Sequence, residues 1–234
     1  MISYSGNNVT KLQISCCRSC GDKDFEEIID FGHMPLANAL RSKSQLKEHE
    51  KKYPLKLVFC TNCSLVQITE NVDPQILFSH YFYRSSFSDS FLLHCRSLAE
   101  LVIDRYKLNK NSLVIDIASN DGYLLQFYKE HGIPVLGIEP AQNIAKIATE
   151  AGIDTHNVFF TLQEACALAT GQLADVIHAH NVMPHVSDQR DFAAGIATLL
   201  KPNGIAVIEF AYVIDTVDHT EYDQIYHEHM CYFS

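Results

Sequence analysis

The sequence predicts an α/β fold, a mostly parallel sheet covered by helices, behind a small thiol-rich domain. Two observations carry this. Apolar runs of five or six residues alternate with helix-like segments from residue 113 onward, and two CxxC pairs stand in the first quarter of the chain. With 234 residues, 47% of them hydrophobic, the chain is long enough for one large domain or two modest ones, each with a proper core. The expected division is 1–75 for the thiol-rich domain, 76–110 for a helical linker or lid, and 111–234 for the sheet domain.

Charge and composition remove several classes of partner. A net charge of -10 repels a phosphate backbone, and no basic stripe overrides it, so nucleic acid is not an expected partner. The opening MISYSGNNVTKLQISC has no basic region followed by an apolar core, and no apolar run approaches the roughly 20 residues that span a bilayer. The expectation is a cytoplasmic protein without a membrane partner, whose eight cysteines stay reduced. Oligomeric state is not legible.

The stretches CCRSCG and VFCTNCSL each set two thiols two residues apart, so that a tight turn aims both sulfurs at one cation. Cys17, Cys20, Cys60 and Cys63 together supply the four thiolates of a tetrahedral zinc site. That closed shell leaves no position for water, so the metal is expected to be structural. Buried free thiols or a redox CxxC are the competing interpretation. Cys16, next to Cys17, leaves a shifted CxxxC open. Between the knuckles, IIDFGHMPLANAL suggests a strand and turn, SKSQLKEHEKK a solvated loop or helix face, and YPLKLVFC a strand delivering the second knuckle.

In the sheet domain the runs LVIDIA, PVLGIE, ADVIHA and GIAVIEF alternate with YLLQFYKEH, QNIAKIATEAG and DQRDFAAGIATLL. Ligands of such sheets bind beyond the carboxyl ends of the strands. The first run opens into DIASNDG. A dinucleotide loop would carry glycine where Ala118 and Asn120 stand, and Asp121 would oppose a pyrophosphate. S-adenosylmethionine has no phosphate and carries a sulfonium and an ammonium group, which Asp116 and Asp121 suit better than they suit NAD. Gly122 ends the loop. Glu139, 23 positions beyond Asp116, closes the second run, where a carboxylate can accept both ribose hydroxyls. Each acid alone is equally an ordinary helix cap or surface charge.

In order from residue 17 to 234, the stretches CRSCG, FGHMPLANAL, FCTNCSLVQ, HYFYRSSFS, DIASNDGYLL, GIEPA, HNVMPHV and YDQIYHEHMCYFS resemble the sugar-nucleotide C-methyltransferases of branched deoxysugar pathways. The resemblance implies a Rossmann-like S-adenosylmethionine-dependent methyltransferase domain preceded by a zinc-binding domain. It also implies a further C-terminal domain, which this chain is expected to lack. The implied substrate is a nucleotide-linked 4-keto-6-deoxy sugar, methylated at C3.

The same resemblance assigns the terminal IYHEHMCYFS. His229 matches the family's base, with Tyr226 donating to the enolate and Glu228 orienting a neighbour or a sugar hydroxyl. It places Asn181 and His185, beyond the run ADVIHA, in the sugar site. Tyr83, with Tyr81 a weaker choice, is expected in a lid over the sugar. Three alternatives stand beside these assignments. His227 and His229 alternate as on a strand and can be one exposed and one packed. HEH with Cys231 can bind a metal, although the spacing is not that of HExxH. Glu209 either faces the site or caps a turn, and His178 and His180 are expected to pack in a strand. O- or N-methylation, or a non-catalytic zinc-stabilised binding module, are the alternative functions.

Overall fold

The structure, a computed structural model, describes residues 13–79 and 81–234. Most of the N-terminal stretch weighed as a leader, and His80 of HYFYRSSFS, lie outside them. In chain order, β1 (Phe25–Pro35), β2 (Lys52–Cys60) and β3 (Val66–Ile68) come first, then α1 (Pro74–Phe78) and α2 (Asp89–Tyr106). Next are β4 (Val114–Ile117), α3 (Leu125–Glu130), β5 (Val135–Ile138), α4 (Gln142–Glu150), β6 (Thr155–His156), α5 (Leu162–Leu168) and β7 (Ala174–His180). The order ends with α6 (Gln189–Leu199), β8 (Leu200–Glu209), α7 (Val213–Asp218) and β9 (Cys231–Tyr232). Two units result: the chain up to Leu77 with Pro184–Ser187 and Ala211–Ser234, and Phe78–Met183 with Asp188–Phe210.

The first unit is an antiparallel sheet in the order β1-β2-β3-β9. In β2, Tyr53, Leu55 and Leu57 point to one buried face, the period of two that half-buried strands show. The expected strand in IIDFGHMP runs through β1, which bulges twice against β2, while the charged SKSQLKEHEKK forms only an exposed 3-10 turn at Gln45–Lys47. β9 pairs with β3 through Val66↔Tyr232 and Gln67↔Cys231.

The second unit is the expected parallel sheet, in the order β6-β5-β4-β7-β8. From β4 the chain winds outward to β5 and β6, then returns to build β7 and β8 on the other side. The strand order therefore reverses between β4 and β7, where doubly wound sheets bind ligands. β4 is apolar on both faces apart from Asp116 and wholly buried, as a central parallel strand must be. Ser88 caps α2 by accepting from the Phe91 N–H, and the helix buries Cys95, Ala99 and Val102 with Val114, Leu124 and Tyr128. Each large side chain fully buried there contributes about 1.5–3 kcal/mol.

These units redraw the boundaries expected from sequence. Residues 78–110 are not a separate linker, because α2 packs into the core of the parallel-sheet unit. Residues 211–234 group with the thiol-rich unit, because alternation stops after Glu209 and the buried β9 completes the antiparallel sheet.

The loop after β4 is tightly constrained. Gly122 has φ +81°, and a Cβ there would come within 2.8 Å of Ile153 Cγ1. We expect Gly122→Ala to destabilise the chain by about 1–3 kcal/mol, from left-handed strain plus overpacking. Urea unfolding measures this, and an unchanged midpoint would contradict the geometry.

Candidate functional site

The first knuckle turns at Gly21 (φ 80°), whose N–H donates to the Cys17 carbonyl. The second turns the same way at Ser64 (φ 63°), whose N–H donates to the Cys60 carbonyl. The sulfurs of Cys17, Cys20, Cys60 and Cys63 lie within 4.8 Å of one another, and Cys17–Cys63 and Cys20–Cys60 are each 3.6 Å apart. A zinc ion with bonds of about 2.3 Å in a tetrahedron separates its sulfurs by about 3.8 Å, so the donor set fits zinc. Cys16 stays outside the cluster. Burial pushes the Cys17 thiol up, but N–H donors from Cys20, Ser19 and the Gln67 side chain outweigh it and bring it down to about 6. Burial and the neighbouring thiols push Cys63 up to about 12. Without a cation, the second negative charge is resisted.

In the parallel-sheet unit, Ala118 (φ 53°) and Asn120 (φ 48°) adopt the left-handed backbone that glycine takes freely. The departures from glycine therefore change the side chains and not the path of the loop, with a strain of roughly 1–2 kcal/mol each. Asn120 uses its side chain to hold neighbouring backbone: Oδ1 accepts from the Ser85 and Asp121 N–H groups, and Nδ2 donates to the Tyr83 carbonyl. Glu139 accepts from the Asn120 N–H at 2.9 Å on one oxygen and from the Ala141 N–H at 2.8 Å on the other. Each oxygen keeps a lone pair for a hydroxyl donor. Burial, opposed by those two N–H groups, lifts Glu139 to about 7.

Asp116 is fully buried, and neither oxygen has a protein partner. Burial, reinforced by Glu139, holds it well above the ordinary carboxylate range. Asp121 takes the Ser86 hydroxyl at 2.5 Å and lies 3.9 Å from Arg84, while its other oxygen is buried without a partner. A buried acid without a partner and a second with one oxygen unpartnered, beside a left-handed loop, are acceptors that a cationic nucleoside satisfies and a pyrophosphate does not. The proposed lid segment is tied to the same loop, and Asn143 additionally brackets the Tyr81 backbone through both its amide atoms. Tyr83 itself is 57% exposed.

Asn181 ends β7 in a left-handed conformation (φ 54°), its N–H donating to the Glu209 carbonyl. The structure assigns His185 to the other unit, with the terminal segment. There His185 Nδ1 donates to the Glu228 carbonyl, and its ring lies edge-on to His229, centroids 4.9 Å apart. Burial and His229 bring His185 down to about 4.

His229 Nδ1 donates to the Gln224 carbonyl at 3.0 Å, which fixes Nε2 as the acceptor of the Tyr226 hydroxyl, also at 3.0 Å. Burial lowers the His229 pKa, so the ring is neutral above the ordinary imidazole range. Glu228 takes an amide hydrogen bond from Asn38 at 2.8 Å, and its other oxygen is buried and unpartnered. Asn38, inside FGHMPLANAL, is a site neighbour that residue type alone did not reveal. His227 is the packed member of the pair, facing the Tyr53 and Pro54 carbonyls. Among the described residues the only metal-competent group is the four-cysteine cluster, so HEH and Cys231 do not form one.

His178 and His180 pack in β7 as expected and form a buried chain. Tyr128 lies 2.8 Å from His178 Nε2, His178 Nδ1 lies 2.9 Å from His180 Nε2, and Glu209 accepts from His180 and His94. Glu209 thus faces histidines rather than capping a turn.

A parallel sheet with a left-handed acidic loop after its central strand and an acid closing the next is the fold of S-adenosylmethionine-dependent methyltransferases. Residues 17–78 match the family described as "Putative zinc binding domain", and residues 91–234 match that described as "Methyltransferase domain". The chain belongs to this methyltransferase domain family. It is similar to the C-methyltransferase NovU of Streptomyces niveus, 32% identical over 219 residues, which are 93% of this chain and 52% of that protein. It is also similar to the ubiquinone biosynthesis O-methyltransferase of Rickettsia canadensis (strain McKiel), 26% identical over 140 residues, 56% of this chain and 58% of that protein. The chain spans about half the length of the curated relatives it matches. Among solved structures, Streptomyces venezuelae DesVI aligns with a TM-score of 0.44 at 16% identity, over 55% of this chain and 53% of that one, a likeness that carries no functional weight. Among the described residues no helix is long and apolar enough to cross a membrane.

The purified chain is expected to hold one zinc per molecule by elemental analysis, and Cys60→Ser to lose it. Full retention by that variant would mean the four thiols do not share a cation.

Proposed function

We propose that the protein transfers a methyl group from S-adenosylmethionine to carbon, at C3 of a nucleotide-linked 4-keto-6-deoxy sugar, in the cytoplasm. The likeness to a protein named C-methyltransferase over most of this chain supports the reaction class. The observation that carries the proposal is the fixed tautomer of His229, a neutral imidazole whose Nε2 lone pair meets a tyrosine hydroxyl. Bound cofactor supplies an electrophilic methyl group.

Glu139 holds the ribose hydroxyls, and Asp116 and Asp121, with the backbone of residues 118–122, cradle the cationic end. His229 Nε2 takes the proton from the carbon next to the ketone, and the electron pair moves into the enolate oxygen. Tyr226 donates to that oxygen, the Gln224 carbonyl and the His185 ring keep the imidazole in place, and Glu228 orients a sugar hydroxyl. Asn181, His185 and Tyr83 bind the sugar. A second reading, O-methylation, is supported by the O-methyltransferase relative and needs no carbon acid to be deprotonated.

Mass spectrometry of a panel of nucleotide-linked 4-keto-6-deoxyhexoses, incubated with the chain and S-adenosylmethionine, tests the proposal. A gain of one methylene in the sugar supports it, and none from a folded chain contradicts it. His229→Asn is expected to lower turnover by about 100-fold or more with cofactor affinity nearly unchanged. It should also stop exchange of the substrate's α-proton into deuterated water. Exchange that persists in this variant would remove His229 as the base.

Cofactor affinity should depend on Glu139. The charged form accepts the ribose, so with a folded value of about 7, affinity should fall about tenfold from pH 8 to pH 6. By the same linkage, stability contributed by the protonated acid is lost as pH rises from the ordinary carboxylate range through 7. Calorimetric titration of wild type against Glu139→Gln checks this, because the variant should bind more weakly at pH 8 and with a flat profile.

A further inference from the structure

We propose that Gln67 and Arg18 are positioning residues that make the zinc knuckle the orienting anchor of the two segments carrying His185 and His229. The proposal rests on the reading of His229 as the base, and concerns the antiparallel-sheet unit alone.

The first tie runs through Gln67, which has no exposed surface. Its Nε2 donates to Cys17 Sγ at 3.1 Å and its Oε1 accepts from the Arg18 N–H at 3.1 Å. Both ends of one amide are thus spent on the knuckle, while its backbone pairs with Cys231 in β9. The next residue, Ile68, donates its N–H to the Met230 carbonyl, and Met230 donates its own to the Pro184 carbonyl at 2.7 Å. Met230 follows His229 directly.

The second tie is the guanidinium of Arg18, a buried residue that stands in sequence between Cys17 and Cys20. It donates to the Ile68 and Glu70 carbonyls, to Asn71 Oδ1 at 2.7 Å, and to the Ser187 carbonyl at 3.3 Å. One side chain that leaves the knuckle therefore reaches both β3 and the short 184–187 segment that carries His185.

Local structure alone does not hold these segments. β9 is two residues long, β3 is three, and isolated pairs of that size are unstable in water. Ordering must come from the buried polar ties, each of which is costly to leave half made. The knuckle is set by the metal, so the metal's influence extends to the histidines without touching substrate.

The test is amide hydrogen exchange on the full zinc-loaded chain carrying Gln67→Leu, with Arg18→Leu as the second variant. The Met230 amide should exchange about tenfold faster, the size of one hydrogen bond's net stabilisation. Amides of β1, which pairs with β2 alone and not with β3 or β9, should change little. Zinc content and nitrogen NMR of the His229 ring accompany it, the ring losing its single tautomer. Unchanged Met230 protection in both variants overturns the proposal, whatever the zinc content. Equal acceleration throughout β1 also overturns it, since that is general loosening. If Met230 loosens yet His229→Asn keeps full turnover, the anchor stands and the base assignment falls.

Discussion

Four thiolates cannot converge within a few ångströms of each other in a partly buried place unless a cation lies among them. This repulsion is the constraint on which the antiparallel unit depends. The opposed values of Cys17 and Cys63 express it, one thiol lowered by N–H donors and another raised by burial and its neighbours. The unit has few alternatives to the metal. β1 is mostly exposed, β3 and β9 are minimal, and only β2 presents a well-alternating buried face. A sheet so short of apolar area gains much of its folding free energy from metal binding.

The parallel-sheet unit solves the opposite problem. Its core is ample, and its difficulty is to keep acids in it. Asp116 is enclosed in the central strand without a partner, Glu139 is satisfied by two N–H groups, and Asp121 is shared with a serine and an arginine. Burial raises the first two, and only Glu139 has N–H donors that oppose it. Left-handed turns at Ala118 and Asn120 add strain to the same loop. Strain and orphaned acids concentrated in six residues are features a fold does not need for itself, and they mark the place where a cationic ligand supplies what the protein withholds.

How much of this was legible in the sequence follows from how local each signal is. The knuckles, the four parallel strands and the acids at their ends depend on spacing within one segment, and all appear where the pattern put them. Ala118 and Asn120 stand where a dinucleotide loop would carry glycine, and that both take the left-handed backbone glycine favours is not visible from residue type. The pairing of residues 231–232 with β3 was not legible. β9 is a strand only because β3 lies 164 positions earlier with a matching edge, and a two-residue strand has no periodicity. Asn38 was hidden for the same reason, its partner Glu228 being 190 positions away.

The histidines show how structure sorts residues that the sequence presents as equals. Glu209 as a carboxylate can only accept, so His180 donates to it from Nδ1 and must accept at Nε2. His178 then donates from Nδ1 and accepts the Tyr128 hydroxyl at Nε2, so both rings are neutral and both lone pairs are consumed within the core. Burial deep enough to bring His178 down to about 3 also removes it from any exchange with solvent protons. His227 is held against two carbonyls, and His185 is brought to about 4 by burial and by its neighbour. His229 alone among these five combines a half-buried ring, a donor locked on a carbonyl, and a lone pair facing a hydroxyl that can turn to an incoming oxygen. An imidazole must be neutral to take a proton and partly solvated to release it. The fixed tautomer of His229 together with its moderate burial, rather than its place in a motif, is the physical ground on which it is proposed as the base.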